Sequence, residues 1–279
     1  MENGDSTRGL ARPAVNGRAG AAFARDADGV VRLKDLEQRD PLKILFPDPL
    51  DERQPVAVLV NTGGGIVGGD RLSTGIELGP GAQALVVGQA AEKVYRSWGP
   101  PAEVRNRLVL GAGARLEWFP QETILFDRAR LDRSLDLRLE AGATFLGGEI
   151  VVYGRRARGE TLTGGSLRDG WAIRRGDRLV WLDRFVADPL DDALLDRPAL
   201  LDGARASAMM VCLADDPAQA LEIARGQAGV SCGIVNGVLV ARLLDRDVPA
   251  LRGRYCRLWQ ALRHGIFGLP EGISRLWHV

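Results

Sequence analysis

Three stretches of the sequence share one pattern: IELGPGAQA at residues 76–84, LVLGAGARL at 108–116 and LRLEAGATF at 137–145. Their starts are 32 and then 29 residues apart. In each stretch, two runs of strand-forming residues flank a short turn. Glycine stands at the second central position of that turn, where a type II turn requires a positive φ. These glycines are Gly81, Gly113 and Gly142. The pattern predicts a strand, a turn and a second strand in each repeat, which we interpret as a hairpin.

The residues around these turns alternate between apolar and polar, as strands with one buried face do. The apolar face of the first repeat comprises Leu72, Thr74, Ile76 and Leu78, and that of the third comprises Leu131, Leu135, Leu137 and Leu139. A unit of about thirty residues that cannot cover its own apolar face is expected to stack on its neighbours. The sequence therefore predicts a mainly β fold, in which wound layers of β-hairpins stack into an elongated β core.

The last quarter of the chain has a helical pattern instead. Asp216 suits an N-cap, Pro217 suits the first helical position and Gly226 suits a helix end, which predicts a short helix. Residues 247–268 then carry apolar side chains at helical spacing with arginines between them, which predicts a second helix. No Pro- or Ser-rich linker divides the chain. We therefore expect a disordered lead at residues 1–19 and a single domain at 20–279, with two α-helices in its C-terminal quarter.

Composition excludes several classes of function. Lys and Arg number 37 and Asp and Glu number 36, so a net charge of +1 gives no general attraction to nucleic acid or to an anionic membrane, and we expect neither as a partner. Cys212, Cys232 and Cys256 form no CxxC pair, and the histidines are His264 and His278, which argues against a zinc finger or a multi-histidine metal site. The first twenty residues contain no apolar signal, so we expect a cytoplasmic location.

Two enzyme motifs occur, each in an unsuitable context. GGGIVG at residues 63–68 matches the dinucleotide-binding pattern, but strand-like alternation follows it where a helix is required. GVSCG at residues 229–233 matches a nucleophile elbow, and Ser231, Asp245 and His264 follow the order of a serine hydrolase triad. The elbow needs a strand before it and a helix after it, whereas here a helix precedes and a strand follows. A serine hydrolase is kept as the alternative function.

Acidic residues beside apolar segments are the remaining candidates for chemistry. Glu122 and Asp127 bracket the apolar residues 124–126, and Glu149 and Glu160 flank the end of a hydrophobic strand and an arginine-rich segment. Such acids can lie at an interior edge or beside a channel, or they can stabilise the fold through ordinary ion pairs. Judged on the residues alone, structural acids are the favoured interpretation.

Four segments, in order, resemble the urease accessory protein UreD family, called UreH in some organisms. They are NTGGGIVGGD at 61–70, QAAEKVYRS at 89–97, WFPQETILFD at 118–127 and GRRARGE at 154–160. The resemblance runs from about residue 20 to SRLW at 274–277 and so covers nearly the whole chain. Two departures from the family pattern are Gly88, where Thr is common, and His264, where Pro is common.

This resemblance implies a mainly β protein that has no catalysis of its own. Family members act as a scaffold between apo-urease and a helical UreF-type partner, which recruits a UreG-type GTPase that supplies nickel. The resemblance also implies that Ni²⁺ is carried in transit, with no permanently bound cofactor. Carboxylates suit transit because they bind Ni²⁺ more weakly than imidazole or thiolate does. The expected path comprises the acids in or near the family-like motifs: Asp70, Glu122, Asp127, Glu149 and Glu160.

The second C-terminal helix is the predicted partner surface. Leu258, Trp259 and Leu262 lie among arginines and give this helix more apolar area than one flank of a β core needs. We therefore expect these side chains to contact the helical partner. Ordinary core packing would produce the same helical spacing.

Overall fold

The computed structural model describes residues 14–47 and 54–277. Its strands are β1 (Asn16–Arg25), β2 (Val31–Arg39), β3 (Leu42–Leu45), β4 (Val56–Asn61), β5 (Arg71–Leu78), β6 (Gln83–Gly88), β7 (Glu92–Val94), β8 (Ala102–Leu110), β9 (Arg115–Phe119), β10 (Thr123–Leu125), β11 (Arg130–Leu139), β12 (Thr144–Tyr153), β13 (Ser166–Arg175), β14 (Arg178–Ala187), β15 (Ala206–Leu213), β16 (Ser231–Val235) and β17 (Val238–Asp245). Its α-helices are α1 (Asp192–Leu195), α2 (Pro217–Arg225) and α3 (Val248–Phe267).

The chain winds between two sheets that pack against each other. Sheet one has the strand order β14-β13-β11-β8-β5-β1-β2. Sheet two has the order β16-β17-β15-β12-β9-β6-β4-β3, and β10 and β7 pair beside β12. From β4 to β13 each coil contributes one strand to each sheet, and the neighbours so formed are parallel. The predicted mainly β, stacked architecture is confirmed.

The repeat turns connect the two sheets. Each turn glycine has a positive φ, 64° at Gly81, 64° at Gly113 and 68° at Gly142, which confirms that part of the prediction. The Gly81 amide donates to the Ala112 carbonyl oxygen (2.9 Å), and the Gly113 amide donates to that of Ala141 (2.9 Å), so turn stacks on turn. The hairpin interpretation is wrong, because the two strands that flank a turn lie in different sheets, and each pairs with a strand of the next coil. The sequence does not distinguish the two arrangements, since strand alternation is the same in both.

In-register stacking of the coils builds the core. Ile76, Leu108 and Leu137 lie side by side on β5, β8 and β11, and each is fully buried. Parallel strands covered on both faces bury nearly continuous apolar runs, and nine residues of β12 are buried, all of them uncharged except Glu149. The apolar faces predicted for the first and third repeats are confirmed as buried.

Helices α2 and α3 cover the outer face of sheet two, and both begin and end where the sequence predicts. Asp216 accepts hydrogen bonds from two amides of the first turn of α2, and Asp247 caps α3. Gly268 ends α3 in the left-handed conformation (φ 60°). Trp259 on α3 stacks on Phe119 of β9, with ring centroids 3.8 Å apart. The four-residue α1 was not predicted.

The folded part begins before residue 20. Strand β1 starts at Asn16, so residues 16–19, assigned above to a disordered lead, belong to the first strand. They are ordered by backbone pairing, parallel to β5 and antiparallel to β2, which the local composition does not reveal. Residues 1–13 of the predicted lead lie outside the described residues.

The turn stack gives a stability prediction. Gly113→Ala should lower the free energy of unfolding by roughly 1–2 kcal/mol, because a Cβ is disfavoured at positive φ. Steric collision would not contribute, since an added Cβ has no atom within 4 Å. Gly75→Ala on β5 is the matched control, since it also has open space but no positive φ. It should be neutral or slightly stabilising in urea unfolding followed by circular dichroism. Equal losses in both variants would contradict the conformational explanation.

Candidate functional site

Two cavities lie between the sheets. The first cavity, of about 260 Å³, is lined by β1, β5, β8 and β11 of sheet one and by β4, β7, β9, β10 and β12 opposite. The second cavity, of about 270 Å³, lies between β13 and β14 on one side and β12, β15 and β17 on the other. Each has room for several water molecules. Arg133 and Glu149 line both cavities, so the cavities meet at these two side chains.

A buried group of charges stands at this meeting point. We call Arg133, Glu149 and Asp169 the junction cluster. Arg133 donates from Nε to Asp169 Oδ1 (3.0 Å), from Nη2 to Asp169 Oδ2 (2.5 Å) and from Nη1 to Thr123 Oγ1 (2.9 Å). Its Nη2 atom also lies 2.8 Å from Glu149 Oε2. Asp169 therefore forms the bidentate hydrogen-bonded pair with Arg133, whereas Glu149 interacts with Arg133 mainly through charge.

Strand register brings these three residues together. Arg133 on β11 pairs with Asp169 on β13 at the same level of sheet one. Glu149 lies on β12 of the facing sheet. Arg133 was not among the predicted site residues, although a signal exists: it occupies an inward position of an alternating strand, between Leu131 and Leu135. An arginine at such a position must have partners, since a lone buried charge is very costly.

Burial and ion pairing have opposite effects on the pKa of Glu149 and on that of Arg133. Burial raises the pKa of Glu149, although the nearby Arg133 lowers it in part. Burial acts to lower the pKa of Arg133, but Asp169 and Glu149 outweigh it and raise that pKa above its ordinary value. Within the described residues, Glu149 Oε2 and Trp118 Nε1 have no hydrogen-bond partner of good geometry. Glu149 thus keeps an acceptor for water or a cation.

A second carboxylate lines the outer part of the first cavity. Glu92 on β7 receives hydrogen bonds from Asn61 Nδ2 at both of its oxygens (3.1 and 3.0 Å). Burial raises the pKa of Glu92 to about 7. Gly64, which is exposed, lines the same cavity, so this end opens to solvent. Glu92 was not among the predicted site residues, although it is the acidic residue of the segment 89–97.

The five acids predicted as a transit path have different surroundings. Glu149 lines the cavities, as described above. Asp70 is fully buried and accepts hydrogen bonds from the amides of Val15 (2.9 Å) and Val67 (3.0 Å). Glu122 pairs with Arg252 of α3 through both oxygens (2.7 and 2.8 Å). Asp70 and Glu122 therefore have contacts that hold backbone and helix in place.

Asp127 and Glu160 lie together in a shallow cleft with Arg96 and Arg155. Asp127 accepts from the Thr163 amide (2.7 Å), and Glu160 accepts from Arg155 Nη2 (2.6 Å). Burial alone would raise the pKa of each acid, but bonds from Thr163 to Asp127 and from Arg155 to Glu160 reverse this, and both pKa values are lowered. The structure thus brings two of the predicted acids together.

The predicted partner surface is core. Leu258, Trp259 and Leu262 are all fully buried against sheet two. Trp259 Nε1 donates to Glu117 (2.8 Å), which also forms a buried pair with Arg263. These side chains are out of a partner's reach while α3 is packed, and this corrects the prediction. The apolar area of α3 is explained by sheet two, whose outer face needs a cover.

The hydrolase triad is not assembled. Ser231 is exposed at the start of β16, with α2 before it, which is the reverse of a nucleophile elbow. Asp245 pairs with Arg254 (2.5 Å), and His264 Nδ1 lies 3.2 Å from the Leu269 carbonyl oxygen. The glycine-rich residues 63–68 lead into strand β5, which likewise excludes a dinucleotide-binding turn.

Comparison with known proteins finds a family that matches nearly the whole chain. The family described as UreD urease accessory protein matches residues 15–278. The chain belongs to the UreD family. Relatives named urease accessory protein UreD include one from Magnetococcus marinus, 41% identical over 261 residues and 90% of both chains. One from Methylobacterium sp. is 40% identical over 278 residues and 96% of both chains. UreD 1 of Brucella ovis is 39% identical over 279 residues, 96% of this chain and 97% of its own.

Membership of the UreD family confirms the resemblance carried by the four sequence segments. Its members are accessory proteins, helpers rather than catalysts, in agreement with the expectation that the chain is not an enzyme. Among residues 14–47 and 54–277, no three His, Cys, Asp or Glu side chains gather into a metal-binding group. No helix in the same residues is both long and apolar enough to cross a bilayer.

The junction cluster gives a second stability prediction. Arg133→Met should lower the free energy of unfolding by about 3–5 kcal/mol, because it leaves Glu149 and Asp169 as buried charges without a cation. The triple variant Arg133→Met, Glu149→Gln, Asp169→Asn should recover most of that loss. Urea unfolding measures both. A single variant as stable as the wild type would show that the cluster is not a coupled buried charge group.

Glu92 gives a pH prediction. Its raised pKa means that the native state holds this proton more tightly than the unfolded chain, so the free energy of unfolding falls as pH rises from 4.5 to about 7. The loss is of order 3 kcal/mol. Glu92→Gln should therefore melt about 5–10 °C above the wild type at pH 8 and close to it at pH 5. Glu77→Gln, an exposed carboxylate on β5, is the control. The same wild-type difference at both pH values would contradict the prediction.

Proposed function

We propose that the chain is a non-catalytic scaffold and metallochaperone for urease maturation. In this proposal it links apo-urease to a helical UreF-type partner, and through that partner to a UreG-type GTPase, in the cytoplasm. Ni²⁺ is its cargo in transit, with no permanently bound cofactor. The observation that carries the proposal is the pair of inter-sheet cavities meeting at Glu149, whose Oε2 forms an ion pair with Arg133 but has no hydrogen bond of good geometry within the described residues. Membership of the urease accessory family supports it.

The donor chemistry of the cavities suits transit. Glu92 and Glu149 line the first cavity, and Glu149, Asp169 and Asp183 line the second. Carboxylate oxygens hold Ni²⁺ less tightly than imidazole or thiolate, so an ion can leave one carboxylate for the next. Water fills the remaining positions around the ion, as a cavity of this size allows. Spaced single carboxylates are thus suited to passing an ion along.

Arg133 lies where the two cavities meet, so an ion that moves between them must pass this side chain. Its contacts suggest how it can release Glu149. A guanidinium beside the path repels a divalent cation, whereas Glu149 attracts it. Arg133 can release Glu149 and still keep its three hydrogen bonds to Asp169 and Thr123. We therefore propose that the passing ion replaces Arg133 as the counter-charge of Glu149. The exchange leaves Glu149 with a cation beside it at each moment.

The test measures nickel delivery separately from assembly. The chain is co-expressed with urease and its accessory proteins at limiting nickel, and the nickel content of purified urease is measured. Glu149→Gln and Glu92→Gln should each reduce nickel content several-fold, because each removes a carboxylate from the cavities and keeps the side-chain shape. Exposed Glu77→Gln is the control. Pull-down of urease and the UreF-type partner should be unchanged in all three variants.

Full nickel content in both cavity variants would exclude transit through the cavities. Failure of the wild type to bind urease or the UreF-type partner would exclude the scaffold role. Asp70 and Glu160, two of the other predicted transit acids, are less suitable targets, because replacing either also removes hydrogen bonds from backbone amides.

A further inference from the structure

Trp98 is exposed in a way that the fold does not explain. All six tryptophans lie in the described residues; five are at most 8% exposed, whereas Trp98 is 78% exposed. A large aromatic ring left in water gives its own chain none of the stability that burial of its surface would provide. Such rings on a protein surface are characteristic of binding sites for other molecules.

The loop that carries Trp98 is held firmly. The guanidinium carbons of Arg96 and Arg128 lie 5.3 and 5.5 Å from the Trp98 ring centroid. Ser97 is buried, its amide donates to the Arg128 carbonyl oxygen (3.0 Å) and its hydroxyl to that of Pro100 (3.0 Å). An aromatic ring that is already positioned loses little conformational entropy when a partner covers it.

The surroundings of Trp98 are positively charged. Four arginines lie around it and the adjoining cleft, namely Arg96, Arg128, Arg130 and Arg155, and the carboxylates there are Asp127 and Glu160. Asp127 is shared between Arg96 (3.1 Å) and Arg128 (3.7 Å). Positive charge is therefore in excess here, although the chain as a whole carries a net charge of +1. A surface with this charge selects an acidic partner.

The loop that carries Trp98 lies near the first cavity. Tyr95, three residues before Trp98, donates from its hydroxyl to the Gly64 carbonyl oxygen (3.1 Å). Its ring also packs on Gly65, where an added Cβ would lie 2.4 Å from Tyr95 Cε2. Gly64 and Gly65 line the first cavity. A molecule bound at Trp98 would therefore sit beside an opening of that cavity.

We propose that Trp98, flanked by Arg96 and Arg128, anchors a protein partner that presents an apolar pocket with an acidic rim. Tryptophan and arginine are the residues most enriched among those that dominate binding energy at interfaces. The indole fills the pocket, and the guanidinium groups meet the carboxylates of the rim. The proposal rests on the proposed function for the choice of partners, urease and the UreF-type protein, and it places one of them at the first cavity.

The experiment measures the affinity of the full-length chain for apo-urease and for the UreF-type protein, each purified. Trp98→Ala should weaken binding to one of them by about tenfold or more, and Trp98→Tyr should restore part of it. Arg96→Gln with Arg128→Gln should also weaken binding and should reduce its dependence on salt between about 50 and 500 mM NaCl. The controls are Leu182→Ala, exposed by 63% on β14, and Arg107→Gln, exposed on β8.

The outcomes separate the proposals. Wild-type binding that Trp98→Ala leaves unchanged overturns the anchor and leaves the scaffold function standing. Wild-type binding to neither protein overturns the scaffold function and the anchor together. A loss in Trp98→Ala that the controls also show overturns the anchor, because the effect is then not specific. Salt-sensitive binding to single-stranded poly(U) RNA that depends on Trp98, with protein binding intact, assigns the patch to nucleic acid instead.

Discussion

The structure depends on the stacking of one coil directly on the next. Two turn glycines donate their amides to the turn of the following coil, Gly81 to Ala112 and Gly113 to Ala141. This bond can form only between turns of the same shape, which requires a positive φ at the same position in each. Register is thereby set for all strands that follow the turn. A slip of one residue would move the apolar face of a whole coil outward.

The fixed register also places polar groups inside. Thr74 on β5 and Asn106 on β8 are paired neighbours, and both line the first cavity with low exposure. Farther along sheet one, Arg133 and Asp169 are paired neighbours, and Glu149 faces them from sheet two. Water-sized space beside these groups lowers the cost of burying charge, because solvent can still reach them. The cavities and the charges therefore support one another.

The helical layer depends on a different buried contact. Glu117 on β9 is fully buried and receives hydrogen bonds from Gln54, Trp259 and Arg263. Because Trp259 and Arg263 lie on α3, this one carboxylate fastens the helix to sheet two. Stacking of Trp259 on Phe119 closes the same region to water. The core between the two sheets is thus built by repetition of coils, whereas the core between sheet two and α3 depends on one specific polar contact.

The sequence by itself determined the local features. Turn glycines such as Gly113, the caps Asp216 and Asp247, and the buried faces of β5 and β11 follow from backbone conformation and periodicity, which neighbouring residues decide. The family followed from four ordered segments. The tertiary structure alone decided which strands pair, because alternation is identical in a hairpin and in a coil. It also decided that Trp259 is core and that Arg133 meets Glu149, since each contact joins two different elements of secondary structure and depends on how they pack.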